Sequence, residues 1–73
     1  MPLSMLNCGE TALIKAFKTK EKIKSYLQSI GFVLGEEVSV ITETDGNLIL
    51  KIKDTRVAID KTIALKIYVE KVA

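Results

Sequence analysis

A chain of 73 residues with 11 basic and 9 acidic side chains has a net charge of only +2, and 48% of it is hydrophobic. That length fits one domain, residues 1–73, which buries only about 60% of the surface its unfolded chain exposes. One cysteine and no histidine exclude an intrachain disulfide and remove both the usual general base and the commonest nitrogen ligand for metals.

Apolar Leu3, Met5 and Leu6 open the chain, and Cys8-Gly9-Glu10 punctuates it. Thr11 to Phe17 reads as a strand with Ala12, Ile14 and Ala16 on one face. Thr19 is placed to cap a helix, its hydroxyl accepting from an otherwise orphaned amide. Ile23, Leu27 and Ile30 follow at helical spacing, with Tyr26 widening the stripe and Lys20, Lys22 and Lys24 facing away. Gly31 is suited to a left-handed helix stop, after which Phe32 folds back toward Leu27. Gly35 then opens a second strand, Glu36–Thr42, alternating with Val38 and Val40 on one side.

A hairpin turn is expected over residues 43–47, because Asp45-Gly46 tolerates positive φ. Leu48–Lys53 returns as a strand with Leu48, Leu50 and Ile52 inward. A tight turn at Asp54-Thr55 leads to Arg56–Ile59, and Asp60 caps a brief helical turn through Ala64 or Lys66. Ile67-Tyr68-Val69 is the last strand. Short strands, tight turns and one inserted helix predict a mainly β fold: a small, partly open barrel with a short C-terminal helical turn. Gly9-Glu10 and Gly35-Glu36 each precede an alternating run, which gives the two strands a shared local grammar.

Catalytic chemistry is hard to assemble from these residues. The chain has no nucleophile elbow, phosphate-binding glycine loop or dinucleotide fingerprint. Glu36 and Glu37 are adjacent and point to opposite faces of a strand. Turn or cap roles account for Asp45, Asp54 and Asp60, and one cysteine builds no zinc site. We therefore expect no enzyme, no cofactor and no metal ligand set. Cys8 reads as a small, partly buried residue, Arg56 as an outward rim residue, and Lys18–Lys22 as a solvated face. No apolar run approaches the roughly 18 residues of a membrane span, and the start lacks the pattern of a signal peptide, so a cytosolic protein is expected.

Three segments resemble the FeoA family, small cytosolic proteins of bacterial ferrous iron transport. They are Leu3…Leu6-Asn7-Cys8-Gly9-Glu10…Leu13-Ile14, the helix-to-strand hallmark from Tyr26 to Val38, and Val57-Ala58-Ile59-Asp60…Ala64…Ile67-Tyr68-Val69. The chain departs from the family pattern where Cys8 and Leu34 stand in place of a frequent proline, where Asp54 replaces a common glycine and Asp60 a basic residue, and where lysines replace helix arginines. The resemblance implies an SH3-like barrel without catalytic activity. It also implies an accessory or regulatory role, exerted by docking onto the cytosolic GTP-binding portion of a FeoB-type membrane permease. The protein would then be cytoplasmic and recruited to the inner face of the membrane.

The helix and the turn after it are the expected contact surface, around Lys24, Tyr26, Leu27, Phe32 and Val33. Three alternatives stand beside this reading. One is a generic interaction module related to the C-terminal domain of iron-dependent repressors. Another is a nucleic-acid-binding barrel, disfavoured because only 5% of residues are aromatic. The last is a ferrous carrier using carboxylates that do not cluster in sequence.

Overall fold

The computed structural model describes residues 1–72. A 3-10 turn at Leu3–Met5 precedes strand β1 (Thr11–Phe17), helix α1 (Glu21–Ser29) and strands β2 (Glu37–Thr44), β3 (Asn47–Ile52) and β4 (Thr55–Asp60). A single turn of helix, α2 (Lys61–Ala64), leads into β5 (Ile67–Lys71). The strands form one antiparallel sheet in the order β4-β3-β2-β1-β5. Its two edge strands do not pair with each other, so the barrel stays open.

Alternation in the sequence dictates which face is covered. Ala12 and Ile14 of β1, Val38 and Val40 of β2, Leu48, Leu50 and Ile52 of β3, and Ile67 and Val69 of β5 all point into one buried cluster. Leu3, Leu6, Leu27, Phe32, Ile59 and Ala64 complete it. No polar or charged side chain is buried among the described residues. Bulges at Lys15 in β1 and Ile41 in β2 break the registers and let the strands bend around this core.

The Gly-Glu pairs prove to be matched structural devices. Glu10 N–H donates to the Asn7 carbonyl at 3.0 Å and Glu36 N–H to that of Val33 at 3.1 Å. Gly9 and Gly35 both have φ +86° at the third turn position, the pattern of a type II turn. Gly9 N–H donates to the Val40 carbonyl while Val40 N–H donates to that of Glu10. Symmetrically, Gly35 N–H donates to the Ile14 carbonyl and Ile14 N–H to that of Glu36. Each turn thus starts one central strand and extends its ladder onto the other.

Four local expectations differ from the structure. Lys20, not Thr19, occupies the N-cap of α1, and no side chain caps it. The β1–β5 ladder runs on to Lys18, whose N–H donates to the Lys66 carbonyl at 2.8 Å, and this delays the helix. β2 extends to Thr44 because pairing with β3 continues to Thr44↔Asn47 around Asp45-Gly46. The next hairpin turns at Lys53-Asp54, with Ile52 opposite Thr55 and Lys53 at φ +55°. Cys8 is exposed, since the second position of its turn faces solvent.

Candidate functional site

α1 is held by its stop as much as by its stripe. Gly31, at φ +107°, donates to the Gln28 carbonyl, and Phe32 N–H donates to that of Leu27 at 2.9 Å. These two bonds form the Schellman closure, with Phe32 and Leu27 as its apolar pair. Both residues have no accessible surface. Leu27 and Phe32 therefore leave the expected contact set: their side chains supply core packing and present nothing to a partner in this conformation.

The other three expected residues are accessible. Tyr26 lies beside the buried stripe, three positions after Ile23, and is 52% exposed. Val33, just beyond the helix stop, is exposed. Lys24 is half-buried, with its ammonium 4.0 Å from the Glu21 carboxylate one turn earlier. Sequence reasoning missed Leu34, which is 62% exposed. It occupies the second position of the turn from Val33 to Glu36, and that position was a readable signal, because the Gly35 that defines the turn also sends its predecessor outward. Leu34 and Lys24 line a shallow groove of about 370 Å³ with Phe17 and Gln28. Apolar surface is thus exposed on both flanks of the Leu27 stripe near the C-terminal end of α1: Tyr26 on one side, and Leu34 with Lys24 in the groove on the other, with Val33 beyond the helix stop.

Among the described residues, no three His, Cys, Asp or Glu side chains come together as a metal-holding group. The two perturbed carboxyls have structural explanations. Glu10 is held below the usual carboxylate range, chiefly by the Lys71 ammonium and then by the Asn7 N–H. Asp60, the α2 cap, is lowered by the Thr62 hydroxyl and then by the Thr62 amide. Neither lines the groove that holds Leu34 and Lys24. Among the described residues no helix is long and apolar enough to cross a membrane.

A five-stranded open sheet with this order and an inserted helix defines an SH3-like domain. The FeoA domain model matches residues 1–71, and the chain belongs to that family. A curated relative from Methanocaldococcus jannaschii, "Putative Fe(2+) transport protein A", is 30% identical over 94% of this chain and 84% of its own length. The zinc-complexed FeoA of Stenotrophomonas maltophilia, described as a procaryotic SH3 domain protein, is 26% identical with a TM-score of 0.83. The match covers 96% of this chain and 89% of that one. A manganese-dependent transcriptional repressor shares the fold, with a TM-score of 0.89 and 20% identity over 99% of this chain and 41% of its own. The expected relation is to iron-dependent repressors; the repressor matched is a manganese-dependent one, and the likeness is one of fold.

Proposed function

We propose that this protein is a non-catalytic accessory factor of ferrous iron uptake that docks onto the cytosolic GTP-binding portion of a FeoB-type permease. The observation that carries the reading is the FeoA domain match across residues 1–71, which ties the whole described fold to iron transport. The contact face is the C-terminal end of α1 and the turn after it: Tyr26, Val33 and Leu34, with Lys24 at the margin. An exposed tyrosine on a rigid support is a usual interface anchor, with aliphatic neighbours completing the apolar contact around it. The Schellman closure and the Gly35 turn provide that support, because both hold their backbone in hydrogen-bonded positions. Recruitment to the inner membrane face follows from the permease's location.

Titration of the isotope-labelled protein with the soluble cytosolic part of the permease from the same source tests this. Amide shifts are expected at Lys24, Tyr26, Val33 and Leu34, and they saturate. A Tyr26→Ala, Leu34→Ala variant should weaken the complex at least about tenfold, as interface anchors do, while its own spectrum stays folded. Absence of saturable shifts across the nucleotide states of the permease refutes the docking. Shifts confined to another face refute the surface.

A further inference from the structure

The opposite end of α1 borders a different feature. A groove of about 610 Å³ runs between the start of α1 and α2, with Ile23 and Ile63 in its lining and Lys18, Lys20 and Lys66 around them. Both isoleucines are half-buried against the core. The Lys18–Lys66 backbone hydrogen bond brings two of these lysines to adjacent positions. Lys18 also extends over the Tyr68 ring, 4.7 Å from its centroid, a cation–π contact that limits its freedom.

The charge in this groove is unbalanced. Lys15, Lys24, Lys53, Lys61 and Lys71 all pair with carboxylates. Lys18, Lys20 and Lys66 pair with none among the described residues. The nearest acids in sequence are paired with other lysines, Glu21 with Lys24 and Glu70 with Lys15, and Asp60 accepts from the amide and hydroxyl of Thr62, a residue of the groove lining. Three like charges around an aliphatic floor raise the local positive potential, and the concave shape concentrates it. The N-terminal end of α1 adds to it with the same sign.

We propose that this groove seats an acidic segment of a partner protein, its carboxylates on Lys18, Lys20 and Lys66 and one apolar side chain on Ile23 and Ile63. Charge complementarity selects the acidic partner, and the aliphatic floor selects a peptide over a free anion. A nucleic-acid strand would satisfy the lysines, but the groove lining has no aromatic face on which a base could stack. A flat lipid surface would leave the recessed isoleucines uncovered. The volume lies within the range of specific ligand pockets.

The permease is not needed to test this, so its outcome is independent of the docking reading. The labelled full chain is titrated with three probes: a short capped peptide of glutamates around a central leucine, the same peptide with glutamines, and a single-stranded RNA oligonucleotide. The glutamate peptide should move the amides of Lys18, Thr19, Ile23, Ile63 and Lys66. A Lys18→Gln, Lys66→Gln variant, altered only at exposed positions, should keep its spectrum outside the groove and Tyr68, which loses its cation–π contact, and bind roughly tenfold more weakly, about 1.4 kcal/mol. Binding should also weaken as salt rises. Equal shifts from the glutamine peptide, shifts elsewhere, or none at millimolar peptide overturn the proposal. Tighter binding of RNA at the same amides reassigns the groove to nucleic acid and overturns it too.

Discussion

Replacing Gly31 by alanine separates two costs that usually travel together. At φ +107° any side chain is strained, and an added Cβ would lie 3.3 Å from Cγ2 of Ile52. Ile52 is buried in the cluster, so its methyl must shift by a few tenths of an ångström against packed neighbours. The backbone term is about 1–2 kcal/mol and the overpacking term about 1–3 kcal/mol. Alanine also reduces the freedom of the unfolded chain, which offsets about 0.4–1 kcal/mol. The net loss should be roughly 1–4.5 kcal/mol, a large share of the roughly 4–11 kcal/mol expected for a domain of this length.

Gly46→Ala is the matched control. Its φ is +77°, and nothing lies within 4 Å of the added Cβ, so only the backbone term applies and roughly 0.5–1.5 kcal/mol should be lost. Urea unfolding followed by circular dichroism gives both values, provided the slopes stay equal. In thermal scans each kcal/mol should lower Tm by about 4–8 °C. If Gly31→Ala costs no more than Gly46→Ala, the approach to Ile52 does not constrain the helix stop and this account of it is wrong.

Three further outcomes follow from the same geometry. Proline suits the second position of a type II turn, and the amides of Cys8 and Leu34 donate no hydrogen bond among the described residues. Cys8→Pro and Leu34→Pro should each add about 0.4–1 kcal/mol by restricting the unfolded chain, read as a raised urea midpoint; a lowered midpoint for either rejects the turn assignment. Phe32→Ala should cost about 3–5 kcal/mol whereas Tyr26→Ala stays within about 0.5 kcal/mol, and equal losses in equilibrium unfolding would contradict their different burial. For acid titration, the Glu10 and Asp60 carboxyls are lowered in the folded state, so the unfolded chain takes up protons first as pH falls. Their contribution is complete above the ordinary carboxylate range and is lost as pH drops through and below about 4. A Glu10→Gln, Asp60→Asn variant should show a shallower acid limb, most clearly at low salt; an unchanged limb assigns acid sensitivity to other groups.

Most of the fold was legible because local chemistry and the buried pattern agree. Gly31 with Phe32, Asp45-Gly46 and the Asp60 cap each announce one backbone event, and each event occurs where its residues stand. The errors arose where a distant strand decided the outcome. Thr19 has the chemistry of a cap, but the Lys66 carbonyl keeps the chain in the ladder one residue too long for it to serve. The bulge at Ile41 and the left-handed Lys53 are likewise consequences of pairing, invisible in a strand read alone. The contact surface was half legible for a related reason. Periodicity shows that Leu27 and Tyr26 differ in angle around α1, but the angular width of the sheet beneath decides which of them is covered.

α1 thereby presents unlike surfaces at its two ends. Its one buried stripe fixes the helix against the sheet, so whatever lies beyond the stripe must serve solvent or partners. At the C-terminal end Tyr26, Val33 and Leu34 are exposed beside the polar Gln28 and Ser29, next to two glycines at positive φ. At the N-terminal end unpaired lysines surround isoleucines that the core only half covers. Solubility alone would favour balanced ion pairs around the whole molecule, as five of the lysines show. Among the described residues Lys18, Lys20 and Lys66 are outside that balance, as are Lys22, Lys51 and Arg56, but the first three border the aliphatic groove at the start of α1. The separation of the two ends allows two contacts at once, one by apolar anchoring and one by charge, with α1 as the rigid spacer between them. It also makes the two proposals separable by salt: groove binding should fall steeply with ionic strength while the contact at Tyr26 and Leu34 persists. A parallel salt response at both ends would mean a single charged interface and would remove the distinction.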